Sequence, residues 1–419
     1  MRVRSVAASS CLTVALAFGV AACGSSNKSS SSSGSGSTGS TTLSIYSSLP
    51  LQGDSRPQSE AVVNGEKLAL QEHGGKVGKY TIKYVSLDDS TAAAGKWDPG
   101  ATSCDARKAA QDKSTIAYLG EFNSGASAIS IPILNEAGIL QVSPSNTAVG
   151  LTQNAPGADK GEPDKYYPSG KRTYGRVVPT DTIQAAAQVS YQKDQGCKKL
   201  YILNDKEVYG KGLADVVQKD ATPAGIQVLG NDGIDTKAAN FRSLATKIKS
   251  KGADCMFFGG ITDNKAVQVW TDVGAANPNI KMFGPDGVAE SSFTTKVPAN
   301  LQPRTYVTNP TLDPKLYPPA AQDFFKTYKQ KFGKNPEPYA IYGYEAMQVA
   351  LLAIQNAGDK GNDRQAVIDQ FFKIKDRDSV LGKYSIDQNG DTTLSDYGGD
   401  RVKGGQLVFD KVIKAKTAG

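Results

Sequence analysis

A single histidine, His73, stands in this 419-residue chain. That scarcity excludes His-rich metal sites and leaves a serine or cysteine triad with one candidate base, placed at a helix end. Cysteine is scarce too: there are five, and their spacings match no metal motif. The Gly-x-Ser-x-Gly elbow of a hydrolase is missing. Basic residues are scattered, with no run longer than Lys171-Arg172 or Lys198-Lys199, although Lys and Arg outnumber Asp and Glu by 48 to 41. No nucleic-acid partner is therefore expected, and a solvated surface accounts for the excess charge. The adjacent carboxylates Asp88-Asp89 point to opposite faces of a strand and make no catalytic pair. Asp387-x-Asn389-Gly390-Asp391 lacks the closing glutamate of a calcium loop and reads as a hairpin turn. These absences predict no enzyme, no cofactor and no metal.

Long apolar runs are also few. The first, Val6–Val20, is short for a membrane span and follows Arg2 and Arg4. It leads into Val20-Ala21-Ala22-Cys23-Gly24, a small-residue cleavage site with a cysteine directly after it. This is the pattern of a bacterial lipoprotein signal; an ordinary secretory signal that holds a cysteine is the plainer alternative. Residues 1–22 are then expected to be removed and Cys23 to carry lipid, leaving an extracytoplasmic protein anchored to the bacterial cell membrane. Gly24 to Thr42 is nearly all Ser, Gly and Thr and reads as a flexible tether.

From Leu43 onward strands and helices alternate. Leu43–Ser47, Thr81–Leu87, Ile116–Leu119 and Ile139–Val142 read as strands, separated by helices at Ser59–Glu72, Ala101–Lys113 and Ser127–Ala137. His73, before Gly74-Gly75, caps the first of these helices. A Gly-, Pro- and Asn-rich segment, Pro144–Arg176, reads as loop. The rhythm restarts with the helix Ile183–Gln195 and the strands Lys199–Leu203, Ile226–Leu229, Met256–Gly259, Lys281–Phe283 and Thr305–Val307. Helices at Ala320–Lys331, Ile341–Gln355 and Asp363–Phe372 precede a β-rich tail with a strand at Gln406–Asp410. This predicts an α/β fold of two doubly wound parallel-sheet lobes. About 375 residues beyond the tether also exceed what one core usually holds. Cys197 and Cys255 each precede a strand, so a disulfide can form if those strands are neighbours; free thiols are the alternative. Cys104 is expected to be a buried, unpaired helix cysteine.

In open α/β sheets ligands sit beyond the carboxyl ends of the strands. Five segments occupy that position: Ser48–Arg56, Gly120–Ser127, Ser143–Thr147, Asn204–Gly212 and Gly284–Ala289. Gly120–Ser127 joins a strand to a helix, and its serines suit either helix capping or an anion site. Gly210-x-Gly212 is no dinucleotide fingerprint, because the third glycine is missing. Gly284-Pro285-Asp286-Gly287 offers one carboxylate, as a turn residue or as a ligand group.

These segments resemble, in order and spacing, the extracytoplasmic leucine/isoleucine/valine-binding protein family. The resemblance rests on Gly74-Gly75 with Asp88-Asp89, Asn123-Ser124 with Ala137-Gly138-Ile139, Ser143-Pro144-Ser145-Asn146-Thr147, Asn204-Asp205-x4-Gly210-x-Gly212, and Phe258-Gly259-Gly260 with Gly284–Ala289. It implies a hinged clamshell of the periplasmic binding protein type I kind, a monomer that closes on an amino acid and delivers it to an ABC permease. The lobes would be 43–178 with 309–383, and 179–308 with 384–419. By position, Ser124 and Thr147 would hold the ligand carboxylate. The Ser145 carbonyl, the Thr147 hydroxyl and Asp286 would take the ammonium, and Tyr209 would cover the ligand. Asn123, Gln52 and Ile261 stand at further contact positions and depart from the family pattern, as does an insertion at Gln153–Arg176. A branched-chain or similar amino acid is the expected cargo. A ligand-sensing clamshell, or a binder of a short amide or urea-type solute, is the alternative.

Overall fold

The computed structural model describes residues 41–415. The expected signal segment, Cys23, most of the tether and the last four residues lie outside the described residues. Thr41 and Thr42, read as the end of the tether, belong instead to the strand Thr41–Leu49, where they pair with Tyr80 and Thr81.

Two sheets organise the chain. The first runs Lys76–Val77, Tyr80–Asp88, Thr41–Leu49, Thr115–Leu119, Leu140–Ser143, Tyr174–Arg176, parallel except for the short antiparallel edge Lys76–Val77. The second runs Gln227–Gly233, Lys199–Asn204, Cys255–Gly259, Lys281–Gly284, Thr305–Asn309, Asp396–Lys403, Gln406–Lys414. Its first five strands are parallel, and the last two add an antiparallel hairpin. The central strands Thr115–Leu119 and Cys255–Gly259 are buried throughout, as expected where helices cover both faces.

Several local expectations shift. The segment read as loop ends in a sixth strand, Tyr174–Arg176, too short for a periodic signal. The strand Asp396–Lys403 went unread because Gly398-Gly399 dilutes its pattern. Cys104 is exposed, because it sits on the solvent face of the helix Pro99–Gln111, whose buried side is Thr102, Ala106 and Ala109. His73 is the C-cap of the helix Arg56–Glu72, and its Nε2 lies 2.9 Å from Gln348 Oε1.

The helices Ala340–Ala357 and Arg364–Phe371 pack into the core of the first sheet beside Arg56–Glu72, although they follow the second sheet in sequence. Tyr384 and Ile386 share that core, so the chain crosses to the second sheet after them rather than at 384. A buried ion pair helps hold this return: Arg176 Nε lies 2.6 Å from Asp391 Oδ1, and Arg176 also donates to the carbonyls of Asn146 and Ala148. Asp387 accepts from the Asn389 and Asp391 N–H groups, which makes 387–391 a closed turn.

Cys197 and Cys255 are joined through their sulfurs, with Cα atoms 5.8 Å apart. The strands Lys199–Asn204 and Cys255–Gly259 are indeed neighbours. Glycine is required where the helix Val208–Ala221 meets the second of these strands. A Cβ on Gly210 would stand 2.4 Å from the Gly259 carbonyl oxygen, so any larger residue would push the helix off the sheet.

Candidate ligand-binding site

The carboxyl ends of both sheets converge on one cleft. Asn123, Ser124, Ser145 and Thr147 line it from the first lobe, and Tyr209, Ile261, Asp286, Gly287 and Glu290 from the second. Gln58, Phe122 and Tyr339 complete the wall. Little free space remains between these walls, so the lobes stand close together at the cleft.

Every contact residue expected from sequence lines the cleft except Gln52. Its side-chain amide donates to Asp88 Oδ2 at 2.9 Å and its backbone N–H to Ser90 Oγ at 3.0 Å. The Asp88 carboxylate also takes the Leu51 N–H, so the loop is turned against its own sheet and away from the cleft.

The first-lobe wall is built from two loops laced together. Ser143 Oγ donates to the Glu121 carbonyl and accepts from the N–H groups of Ser145 and Asn146. Asn146 Nδ2 donates to the carbonyls of Glu121 and Phe122, and Ser145 Oγ donates to the latter at 2.9 Å. Tyr174 OH donates to Asn146 Oδ1 at 3.0 Å and fixes the amide orientation. Behind this lacing, the helix Ser124–Glu136 starts at the cleft. Asn123, its N-cap, makes no capping hydrogen bond with its side chain. First-turn N–H groups of a helix have no partner within it, so this end offers donors and a positive dipole.

The second lobe presents a carboxylate. Asp286 is 4 % exposed and accepts from two phenols: Tyr209 OH at 2.5 Å and Tyr339 OH at 2.6 Å. Tyr209 OH also accepts the Gly287 N–H at 3.2 Å. Burial raises the Asp286 carboxyl above its usual range, and the two phenols pull it back down. Glu290 is raised well above the usual carboxylate range by burial, and the nearby Asp263 and Glu337 push the same way. Asp181, at the start of the helix Asp181–Asp194, is raised by burial and by the charge of Asp286. Several buried polar atoms here make no hydrogen bond: Asn123 Oδ1, Thr147 Oγ1, both Asp181 carboxylate oxygens and Glu290 Oε1. Such atoms are costly unless a partner arrives.

Five wall residues or neighbours escaped the sequence reading. Glu290 lies one residue past the inspected strand-end segment. Asp181 lies two residues before the expected helix start, in Thr180-Asp181, a recognisable helix-entry pair. Tyr339 caps a helix remote from every strand end, and Gln58 lies inside a helix. Phe122 stood in an inspected segment without being singled out.

The lobes also meet outside the cleft. Asp263 accepts from the Asp54 N–H at 2.6 Å and from Ser55 Oγ at 2.5 Å. Lys96 Nζ lies 2.8 Å from Glu207 Oε1 and 2.7 Å from Asn264 Oδ1. Lys296 Nζ lies 2.5 Å from Asp54 Oδ1. The two lobes are thus drawn together over the cleft.

The family model "Periplasmic binding protein" matches residues 45–406. The chain belongs to that family. Among its relatives, it is 26% identical over 372 residues to the Leu/Ile/Val-binding protein BraC3 of Rhizobium johnstonii, covering 86% of this chain and 91% of that one. A solved leucine-binding protein, LivK of Thermotoga maritima, superposes with a TM-score of 0.77 at 23% identity, covering 89% of this chain and 99% of that one. A solute-binding protein from R. palustris solved with benzoate gives a TM-score of 0.74 at 20% identity, covering 90% and 98%. This periplasmic binding protein therefore shares its fold with binders of chemically different solutes. Among the described residues no helix is long and apolar enough to cross a membrane.

Proposed function

We propose that this periplasmic binding protein is the solute-capturing component of an ABC importer, closing on a small amino acid and passing it to a membrane permease. One observation carries the reading. Asp286 stands on one lobe, opposite the uncapped helix start at Ser124 and the Thr147 hydroxyl on the other. A zwitterion needs an acceptor charge at one end and donors at the other. Neither lobe offers both, so the ligand gains its full set of contacts in the closed form and favours it. In this mechanism Asp286 and the Ser145 carbonyl receive the ammonium, and Ser124, Thr147 and the helix N–H groups receive the carboxylate. Tyr209 and Tyr339 hold the Asp286 carboxylate in place through their own O–H groups.

The protein binds and releases its ligand without chemistry, acts as a monomer, and is held at the outer face of the cell membrane by lipid on Cys23. Support for the anchor is the Val20–Gly24 pattern followed by the Ser/Gly tether.

Thermal unfolding and calorimetry against the common L-amino acids, short amides and urea test the reading. An α-amino acid is expected to raise the melting temperature saturably. If none does, and an amide or urea does, the amino-acid assignment is wrong.

A further inference from the structure

The cleft wall holds two carboxylates, Asp286 and Glu290, and no lysine, arginine or histidine. One of the two is enough for the ammonium of a neutral amino acid. Glu290 is the surplus. It is 2 % exposed, it lines the cleft, and its Oε1 makes no hydrogen bond. The charges acting on it, Asp263 and Glu337, are acidic, and only the hydroxyls of Thr262 and Ser292 favour its charged form.

The other wall groups cannot take this role. Gln58 is committed at both ends of its amide: Oε1 accepts the Tyr339 N–H at 3.0 Å and Nε2 donates to the Ala289 carbonyl at 3.3 Å. Both tyrosine hydroxyls are committed to Asp286. On the first lobe, Asn123 Oδ1 and Thr147 Oγ1 are buried, face the same space and have no partner. They mark the cleft as built for a polar occupant, independently of the acids. The apolar contribution is limited to Phe122, Ile261 and the tyrosine rings. With an aliphatic side chain packed here Glu290 stays neutral and its Oε1 stays unsatisfied, whereas a cation would both charge it and pair with it.

We propose that the solute carries a second cationic nitrogen, and that Glu290 is the residue that selects it. The preferred ligand is an α-amino acid with a short basic side chain: its α-ammonium meets Asp286 and its distal ammonium or amidine meets Glu290. This rests on the amino-acid reading above and names the class within it. A buried carboxylate paired with a cation discriminates strongly, because each group is costly to bury alone.

Calorimetry on the full chain after the signal segment tests this with 2,4-diaminobutyrate, ornithine, lysine and arginine against leucine, isoleucine and valine. Ethylenediamine and putrescine report whether the α-carboxylate is needed. At least one basic amino acid should bind at least about tenfold tighter than any aliphatic one. Glu290→Gln should remove that preference, bringing the ratio of basic to aliphatic affinity to about one. Aliphatic amino acids outbinding every basic one overturns the proposal and leaves the amino-acid reading intact. A Glu290→Gln variant, confirmed folded by its melting curve, that keeps the full preference also overturns it. Binding of neither amino acids nor diamines removes both this inference and the reading beneath it.

Discussion

Tyr339 on the first lobe donates to Asp286 on the second through a 2.6 Å hydrogen bond, at the point where the lobes close over the cleft. The same carboxylate takes Tyr209 OH from its own lobe, so its two oxygens are each oriented by a phenol. Asp286 is thereby part of the closure contact and, in the function proposed above, a ligand group.

In the proposed function, replacing Asp286 removes a carboxylate that both tyrosines and the ligand use. Asp286→Ala is expected to weaken amino-acid binding by well over tenfold in calorimetry. Tyr339→Phe is expected to cost less, about 1–2 kcal/mol, since it deletes one hydrogen bond to a charged group. Unchanged affinity in Asp286→Ala would remove Asp286 from the ligand shell.

Closure should depend on contacts that never touch the ligand. Asp263 receives the Asp54 N–H and the Ser55 hydroxyl across the lobes. Gly53, at φ +82°, has no room for a side chain: a Cβ would stand 2.8 Å from Asp263 Oδ1 across the lobes and 2.0 Å from the Gly95 carbonyl oxygen of its own lobe. Asp263→Ala should shift the ligand-free protein toward an open form, seen as a larger radius of gyration in solution scattering. Ligand affinity should fall with the population of the closing-competent state. A scattering profile and affinity equal to the unsubstituted protein would show that the latch carries no weight.

The fold was legible because it is written in local repetition. Strands such as Thr115–Leu119 and Cys255–Gly259 are unbroken apolar runs, and the helices between them are periodic. What escaped was short or interrupted: Tyr174–Arg176 has three residues, and Asp396–Lys403 carries two glycines. The site was legible where it lies directly after a strand, as with Ser124, Thr147 and Asp286. Tyr339 and Gln58 were invisible because they reach the cleft from helices brought back by the long return of the chain to the first lobe, a tertiary fact with no local signature. Gln52 failed for the opposite reason. Its position in sequence was right, but Asp88 draws the loop away.

Stability should fall as pH rises above the acid range. Glu66 is fully buried in the first lobe, where its carboxyl is pushed up to about 8 by burial, against the opposing hydrogen bond from Tyr84. The unfolded chain releases this proton near its ordinary value of about 4. Between those values the folded protein holds a proton that the unfolded chain does not. The contribution is full below about pH 4 and is lost as pH rises to about 8. Glu66→Gln should flatten the dependence by up to about 1.4 kcal/mol per pH unit over that window. Urea unfolding at several pH values from 5 to 8 measures it, and parallel curves for the two proteins would refute it.

The Cys197–Cys255 bond should matter for stability and leave binding alone. It links residues 58 apart in sequence, and closing a loop of that length in the unfolded chain is worth up to about 4 kcal/mol. In the folded state Cys255 opens its strand, while the cleft lies beyond the opposite end of that strand, at Ile261. The adjacent strands hold the two positions together through their own ladder, so the folded geometry survives without the bond. The double variant Cys197→Ser, Cys255→Ser should therefore unfold at lower denaturant, with a loss of about 2–4 kcal/mol, and keep its ligand affinity within about twofold. Dithiothreitol on the unsubstituted protein should reproduce the loss. Affinity falling in step with stability would mean that the bond, rather than the strand ladder, sets the geometry of the second lobe's half of the cleft.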